Sequence, residues 1–103
     1  MNNYALGNFR KLDTSTETVI KGLQFGESDV LTKIEDLRTR NANLDKAGVL
    51  CTHPTIKVHI TLRDVSGQFF KIEAAVFKHE DGFVTLKSGL KIPDFTIYSV
   101  DFF

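Results

Sequence analysis

The chain has 103 residues, of which 42% are hydrophobic, and its 13 basic side chains balance 13 acidic ones. A chain of this length folds as one domain, residues 1–103, and buries enough apolar surface to need neither a disulfide framework nor a metal. The zero net charge disfavours a strong electrostatic grip on nucleic acid, so a nucleic-acid partner is not expected.

Cysteine usage and hydropathy indicate the compartment. Cys51 is the only cysteine, which excludes an internal disulfide and is typical of a reducing cytosol. The sequence has no apolar run of about 18 residues and no signal-peptide pattern. We therefore expect a soluble, cytoplasmic protein without a membrane partner.

The first predicted element is a short helix within the N-terminal segment, residues 1–28. Thr14 stands three residues before Glu17, which is the spacing of a capping box, and apolar residues follow at helical spacing. A strand over residues 14–25 is the alternative, because this stretch is rich in β-branched side chains.

The clearest predicted element is a long amphipathic helix over residues 29–47. Ser28 can cap its start, and Gly48 can take the left-handed position after its last turn. Its apolar stripe consists of Val30, Leu31, Ile34, Leu37 and Leu44. We expect the face bearing Leu31, Ile34 and Leu37 to pack on a sheet.

Residues 55–103 have the pattern of a meander of short antiparallel strands with turn signals between them. Apolar and polar residues alternate over 56–62, which is the period of a half-buried strand. The stretch 68–78 is apolar on both faces, as is typical of a central strand. These patterns predict an α+β fold in which the helix packs on a strongly bent antiparallel sheet of about five strands.

This order of elements resembles the layout of SH3-like and Sm-like barrels over residues 29–103. The resemblance rests on a helix that precedes the strands, a long bent second strand, and a short final strand after a tight turn. It implies that the sheet can close into a small barrel. Glu73, Ala74 and Ala75 replace the glycine-rich bend of Sm-like proteins, and residues 79–83 lack the Asp and Asn of their nucleotide-binding loop. The resemblance therefore concerns the fold and carries no function.

Cys51 and His53 can face one side of an extended segment, but a third metal ligand is out of reach. His59 lies farther along the strand, roughly 20 Å away, whereas a metal–ligand bond spans about 2 Å. No nucleophile motif surrounds Cys51, and no glycine-rich phosphate loop is present. We expect no metal, no cofactor and no catalytic residue, which disfavours an enzyme.

A candidate ligand-binding set consists of Glu73, Lys71 and His59. Glu73 lies between Phe69 and Phe77 on the strand face opposite the one expected to be buried, with Lys71 beside it. If the helix covers this face, burial would raise the pKa of Glu73. A salt bridge at the rim of the sheet is the alternative.

Aromatic residues of the meander support two further hypotheses. The rings are Phe69, Phe77, Phe83, Tyr98, Phe102 and Phe103. They can form a stacking platform for single-stranded nucleic acid, with core packing as the alternative for most of them. Phe102 and Phe103 have opposite parity, so we expect one ring to enter the core and the other to be covered either by the N-terminal segment around Tyr4 and Leu6 or by a second subunit. We favour the second subunit, with Tyr98, Phe102 and Phe103 at the interface.

Together these features predict a small interaction module that acts through a protein surface, in its simplest form as a homodimer. A ligand-binding or enzymatic domain with a pocket between helix and sheet is the alternative, and single-stranded nucleic-acid binding is a second one. A small domain of this kind also fits an accessory protein of a phage, plasmid or other mobile element.

Overall fold

A computed structural model describes residues 12–53 and 55–102. The helices are α1 (Glu17–Lys21) and α2 (Ile34–Leu50). The strands are β1 (Val58–Arg63), β2 (Phe69–Ala74), β3 (Val76–Glu80), β4 (Phe83–Leu86), β5 (Lys91–Pro93) and β6 (Ile97–Phe102), with a 3₁₀ helix at Asp94–Thr96 before the last strand.

The strands form two three-stranded antiparallel sheets, in the orders β2-β1-β6 and β3-β4-β5. The predicted α+β class is confirmed, with one long helix beside antiparallel sheets. Among the described residues the two sheets do not close into a barrel. The described residues form six strands where about five were predicted, because the chain changes sheet within the predicted strand 68–78.

Ala75 is the point where the chain leaves one sheet for the other. Its carbonyl accepts a hydrogen bond from Lys87 N–H at 2.9 Å, and β2 and β3 lie on either side of it. The prediction that 68–78 is a central strand was wrong, because β1 and β4 are the central strands. Phe77, on the second half, is 59% exposed. The buried side chains of both halves share one parity, Ile72 and Ala74 in β2 and Val76 in β3, so the stretch is buried on one face.

The core lies between the two sheets and the helices. The apolar face predicted for β1 is confirmed, but strict alternation of burial is not, because Thr61 on the other face is 1% exposed. Val58, Ile60 and Leu62 are fully buried. They pack in one cluster with residues from the other elements, namely Ile20, Leu44, Ile72, Val84, Leu86, Ile92, Ile97 and Val100. The packing of both sheets into one apolar cluster is what fixes their relative placement.

The short predicted helix is present as α1, but its cap is Thr16 rather than Thr14. The Thr16 hydroxyl accepts from the Val19 N–H at 3.4 Å. Thr14 forms an isolated parallel bridge with Lys71, and the neighbouring Ser15 N–H donates to the Lys71 carbonyl at 2.7 Å. Thr14 is therefore held in an extended conformation at the edge of β2.

The long helix α2 begins at Ile34 instead of residue 29. The Asp29 carboxylate accepts from the Leu31 N–H at 2.8 Å, and the Val30 N–H donates to the Phe95 carbonyl at 2.9 Å. These bonds hold the segment before Ile34 in a loop. The predicted packing face was wrong, because Ile34 is 60% exposed.

The buried stripe of α2 consists of Arg40, Leu44 and Ala47, which are four and three residues apart along the helix. Gly48 lies within the helix rather than after it. A Cβ on Gly48 would lie 4.0 Å from the Lys78 Cα, so the helix approaches β3 closely at this point. None of the helices in the described parts of the chain is both long and apolar enough to span a membrane.

The turn between β1 and β2 is stabilised by one carboxylate. Asp64 accepts from the Ser66 hydroxyl at 2.6 Å, the Ser66 N–H at 3.0 Å and the Gln68 N–H at 2.9 Å. The Ser66 hydroxyl, followed by the backbone donors, lowers the pKa of Asp64 below its ordinary value of 3.8. Gly67 supplies the positive φ of 93° that closes the turn.

Candidate interaction surface

The predicted ligand set lies together on the face of the β2-β1-β6 sheet that is turned away from the core. His59 pairs with Glu73 across the two strands, with 3.3 Å between His59 Nε2 and Glu73 Oε1. Lys71 occupies the next position, opposite Thr61. The condition for burial of Glu73 is not met, because its side chain is 45% exposed on the open face, where it forms the ion pair with His59 that was the alternative. The ligand-binding role of these three residues stays a prediction.

The side chains of Cys51 and His53 do not face a common site. Cys51 is buried in the core, while His53 is exposed and its Nδ1 lies 3.0 Å from the Thr55 hydroxyl. Within residues 12–53 and 55–102, no group of three His, Cys, Asp or Glu side chains is placed to hold a metal ion.

The aromatic side chains are divided between the two sheets. Tyr98 meets Phe69 edge to face at 5.4 Å on the first sheet, whereas Phe77 and Phe83 are exposed on the second. Phe102 is half-buried and packs against the core, with the Lys46 ammonium 4.8 Å from its ring centre. The predicted interface residue Phe103 lies outside the described residues, as do Tyr4 and Leu6 of the alternative. The roles of Tyr98 and Phe102 at an interface stay predictions.

His79 joins three elements through both of its ring nitrogens. Nδ1 lies 2.8 Å from Asp45 Oδ1 on α2, and Nε2 lies 2.9 Å from Asp94 Oδ2 at the 3₁₀ helix. Because a carboxylate can only accept, both bonds are complete when both ring nitrogens carry a proton. Sequence reasoning placed His79 in a turn, and no local signal links residues so far apart in the chain.

Arg40 forms a second bridge between distant segments. Its guanidinium, 3% exposed, makes two parallel bonds of 2.8 Å to the Asp29 carboxylate and donates to the Ile97 carbonyl at 3.1 Å. The sequence carried a signal for this contact, since Arg40 shares one helix face with Leu44 and Ala47.

A groove of about 550 Å³ runs between α2 and the edge strand β6. It is the place where a pocket between helix and sheet was predicted, but it is open to solvent. Leu31, Arg40 and Val100 are the buried lining residues. The other lining residues are Lys33, Asp36, Thr39, Asn43, Tyr98, Ser99 and Asp101.

An apolar surface lies at the opposite end of α2, where the helix packs against β3. The Asp45–His79 bond and the close approach of Gly48 to Lys78 show that this part of α2 packs against β3. Val49 and Leu50 follow Gly48 on the helix, and Phe77 precedes Lys78 on the strand. Val49 is 70% exposed, Phe77 59% and Leu50 36%. We call Val49, Leu50 and Phe77 the helix-end surface.

Single exposed apolar side chains are ordinary, but neighbouring ones mark contact surfaces. The sequence did not indicate the helix-end surface, because the helix was predicted to end before Val49 and Phe77 was left between a stacking platform and the core.

No protein-family model matches the chain, and comparisons with curated proteins and with solved structures give no match.

Proposed function

We propose that this chain is a small interaction module that acts through a protein surface, in its simplest form as a homodimer. The observation that carries the proposal is the helix-end surface, with Val49 and Phe77 exposed by 70% and 59% on adjoining elements. A folded domain that holds such side chains in water gains free energy when another surface covers them.

A second copy is the partner that this surface fits most simply. In a two-fold dimer each residue of the patch is buried twice, once on each subunit. Full burial of a Val or Phe side chain contributes about 1.5–3 kcal/mol. The zero net charge means that no long-range repulsion opposes the contact between two copies.

We further propose that the two sheets are an open form of the SH3-like or Sm-like layout. The order of a helix, a strand that changes sheet at Ala75 and a tight 3₁₀ turn before the last strand supports this relation. The buried, unpaired Cys51 supports a reducing compartment, for which we propose the cytoplasm.

The experiment compares the mass of the wild type with that of two matched variants by sedimentation equilibrium. Val49→Ser alters the helix-end surface, whereas Val65→Ser alters a valine that is 60% exposed in the β1–β2 turn. Loss of one Val contact on each subunit amounts to about 3 kcal/mol, which is about a hundredfold in the dimer constant. We expect Val49→Ser to dissociate and Val65→Ser to behave as the wild type.

A wild type that is monomeric at all concentrations would refute the homodimer. Equal weakening by both variants would show that the dimer exists but does not use the helix-end surface.

A further inference from the structure

The main chain of β6 at Val100 faces the groove rather than a neighbouring strand. Lys71 pairs with Thr14 on the side of β2 away from β1, where the Lys71 carbonyl accepts a hydrogen bond from the Ser15 N–H. In an antiparallel sheet the N–H and C=O of one residue point to the same neighbour, and the direction alternates along each strand. The N–H and C=O of Thr61, the partner of Lys71, therefore point toward β6. The N–H and C=O of Ser99, the partner of Thr61 on β6, point back toward β1.

It follows that Val100, the next residue of β6, directs its N–H and C=O outward. Val100 is 5% exposed and lines the groove. No described residue outside its own sheet forms a hydrogen bond with its main chain. Buried backbone groups are nearly always paired, so a donor and an acceptor that face a groove without a partner mark a place for one.

We infer that this groove binds an extended segment of a partner protein, which adds as a strand to β6 and exchanges main-chain hydrogen bonds with Val100. The groove suits a single chain because α2 stands on one side of it and β6 on the other. Strand addition to an exposed edge takes its affinity from such main-chain bonds and its specificity from alternate side chains.

A second copy of this chain does not complement the same place. Two-fold pairing of β6 at Val100 would bring together two copies of one rim, on which Asp36 and Asp101 outnumber Lys33. The groove is therefore separate from the helix-end surface, and the inference does not depend on the homodimer.

The lining residues define the chemistry of the segment. Leu31 is buried in the floor, so the side chain that faces it is apolar. The Arg40 charge is already neutralised by Asp29, which leaves one cation, Lys33, against two anions, Asp36 and Asp101. The rim is thus net negative, and an extended segment with alternating apolar residues and a Lys or Arg beside them complements it.

The test begins with selection from a library of random heptapeptides on the full-length wild type. The selected peptide is synthesised, and its affinity is measured by fluorescence anisotropy for the wild type, Thr39→Trp and Thr18→Trp. Thr39 is exposed on the groove wall, so the indole fills the groove; Thr18 is exposed on α1 and away from it. Amide exchange at Val100 is followed by NMR with and without the peptide.

We expect a basic peptide with alternating apolar residues that binds the wild type and Thr18→Trp alike and binds Thr39→Trp at least tenfold more weakly. Methylation of the central peptide nitrogen should weaken binding at least tenfold, and bound peptide should slow exchange of the Val100 amide at least tenfold. The inference would be overturned if no peptide bound the wild type more tightly than Thr39→Trp, or if bound peptide left the exchange rate of the Val100 amide unchanged. Selection of acidic peptides would overturn the assigned partner chemistry. The mass of the protein in sedimentation decides the homodimer separately, whichever result the peptides give.

Discussion

The Asp29–Arg40 ion pair gives a sharp test of how α2 is placed on the fold. Asp29→Ala would leave a guanidinium that is 3% exposed with bonds only to the Ile97 carbonyl and the Asn41 side chain. Breaking a buried pair by removing one partner costs about 3–5 kcal/mol. The Asp29 carboxylate is 27% exposed and partly screened by water, so we expect a loss of about 2–3 kcal/mol.

Urea denaturation and thermal melting of a double-variant cycle measure this loss. A change of 1 kcal/mol shifts the Tm of a domain of this size by about 4–8 °C, so Asp29→Ala should melt roughly 10–20 °C below the wild type. Arg40→Met keeps the buried volume and leaves the Asp29 carboxylate able to reach water. We expect it to lower the free energy of unfolding by about 1 kcal/mol. The double variant should lose less stability than the sum of the two single variants.

The exposed Lys78–Glu80 pair, with 3.5 Å between its charged atoms, is the control. Glu80→Ala should change stability by less than about 0.5 kcal/mol. The reasoning would be refuted if Asp29→Ala cost no more than Glu80→Ala, or if the effects of Asp29→Ala and Arg40→Met added without coupling.

Three further predictions concern stability. His79→Gln should lower the free energy of unfolding by about 2 kcal/mol in thermal melting, and the exposed control His53→Gln by under about 0.5 kcal/mol. Equal losses would contradict the role of His79 in joining α2, β3 and the 3₁₀ helix. Asp64 has a lowered pKa, so its carboxylate stabilises the fold above pH 3.8 and this contribution is lost as the pH falls. The difference in Tm between wild type and Asp64→Asn should therefore narrow as the pH falls below 3.8, and a difference that does not change with pH would count against the role of Asp64 in the turn. Ile34→Asp should be nearly neutral because Ile34 is 60% exposed, whereas Leu44→Ala should cost about 2–5 kcal/mol; an unfolded Ile34→Asp would contradict the observed helix register.

The parts of the fold that sequence reasoning predicted are those with local causes. The alternation in β1 reports which side chains meet the core, and it needs no knowledge of the partner strands. The turns between the strands were predicted from local turn signals, and the glycines in them, Gly67, Gly82 and Gly89, have a positive φ. The long helix was predicted from its apolar spacing, although not its register.

The errors have non-local causes. Asp29 was assigned to the first turn of the helix, but Arg40 holds its carboxylate eleven residues along the chain. The crossing at Ala75 depends on a bond from Lys87, which composition does not reveal. The apolar residue Phe77 on the second face suggested a strand covered on both sides, but it is 59% exposed, and its exposure depends on elements distant in sequence.

The candidate sites were predicted only in part. Glu73, Lys71 and His59 were expected to lie together and do share one sheet face, because strand parity is a local property. The helix-end surface and the groove at Val100 arise where α2 meets β3 and β6, and their composition depends on the packing of elements far apart in sequence.

The most direct test of the proposed homodimer is methyl NMR of the wild type over a dilution series from millimolar to micromolar concentration. We expect the Val49 methyl signals to shift with dilution, together with the ring signals of Phe77. The Val65 methyl signals should stay unchanged, since Val65 lies in the β1–β2 turn. Signals of Val49 that do not depend on concentration, or a shift of Val65 instead, would contradict it.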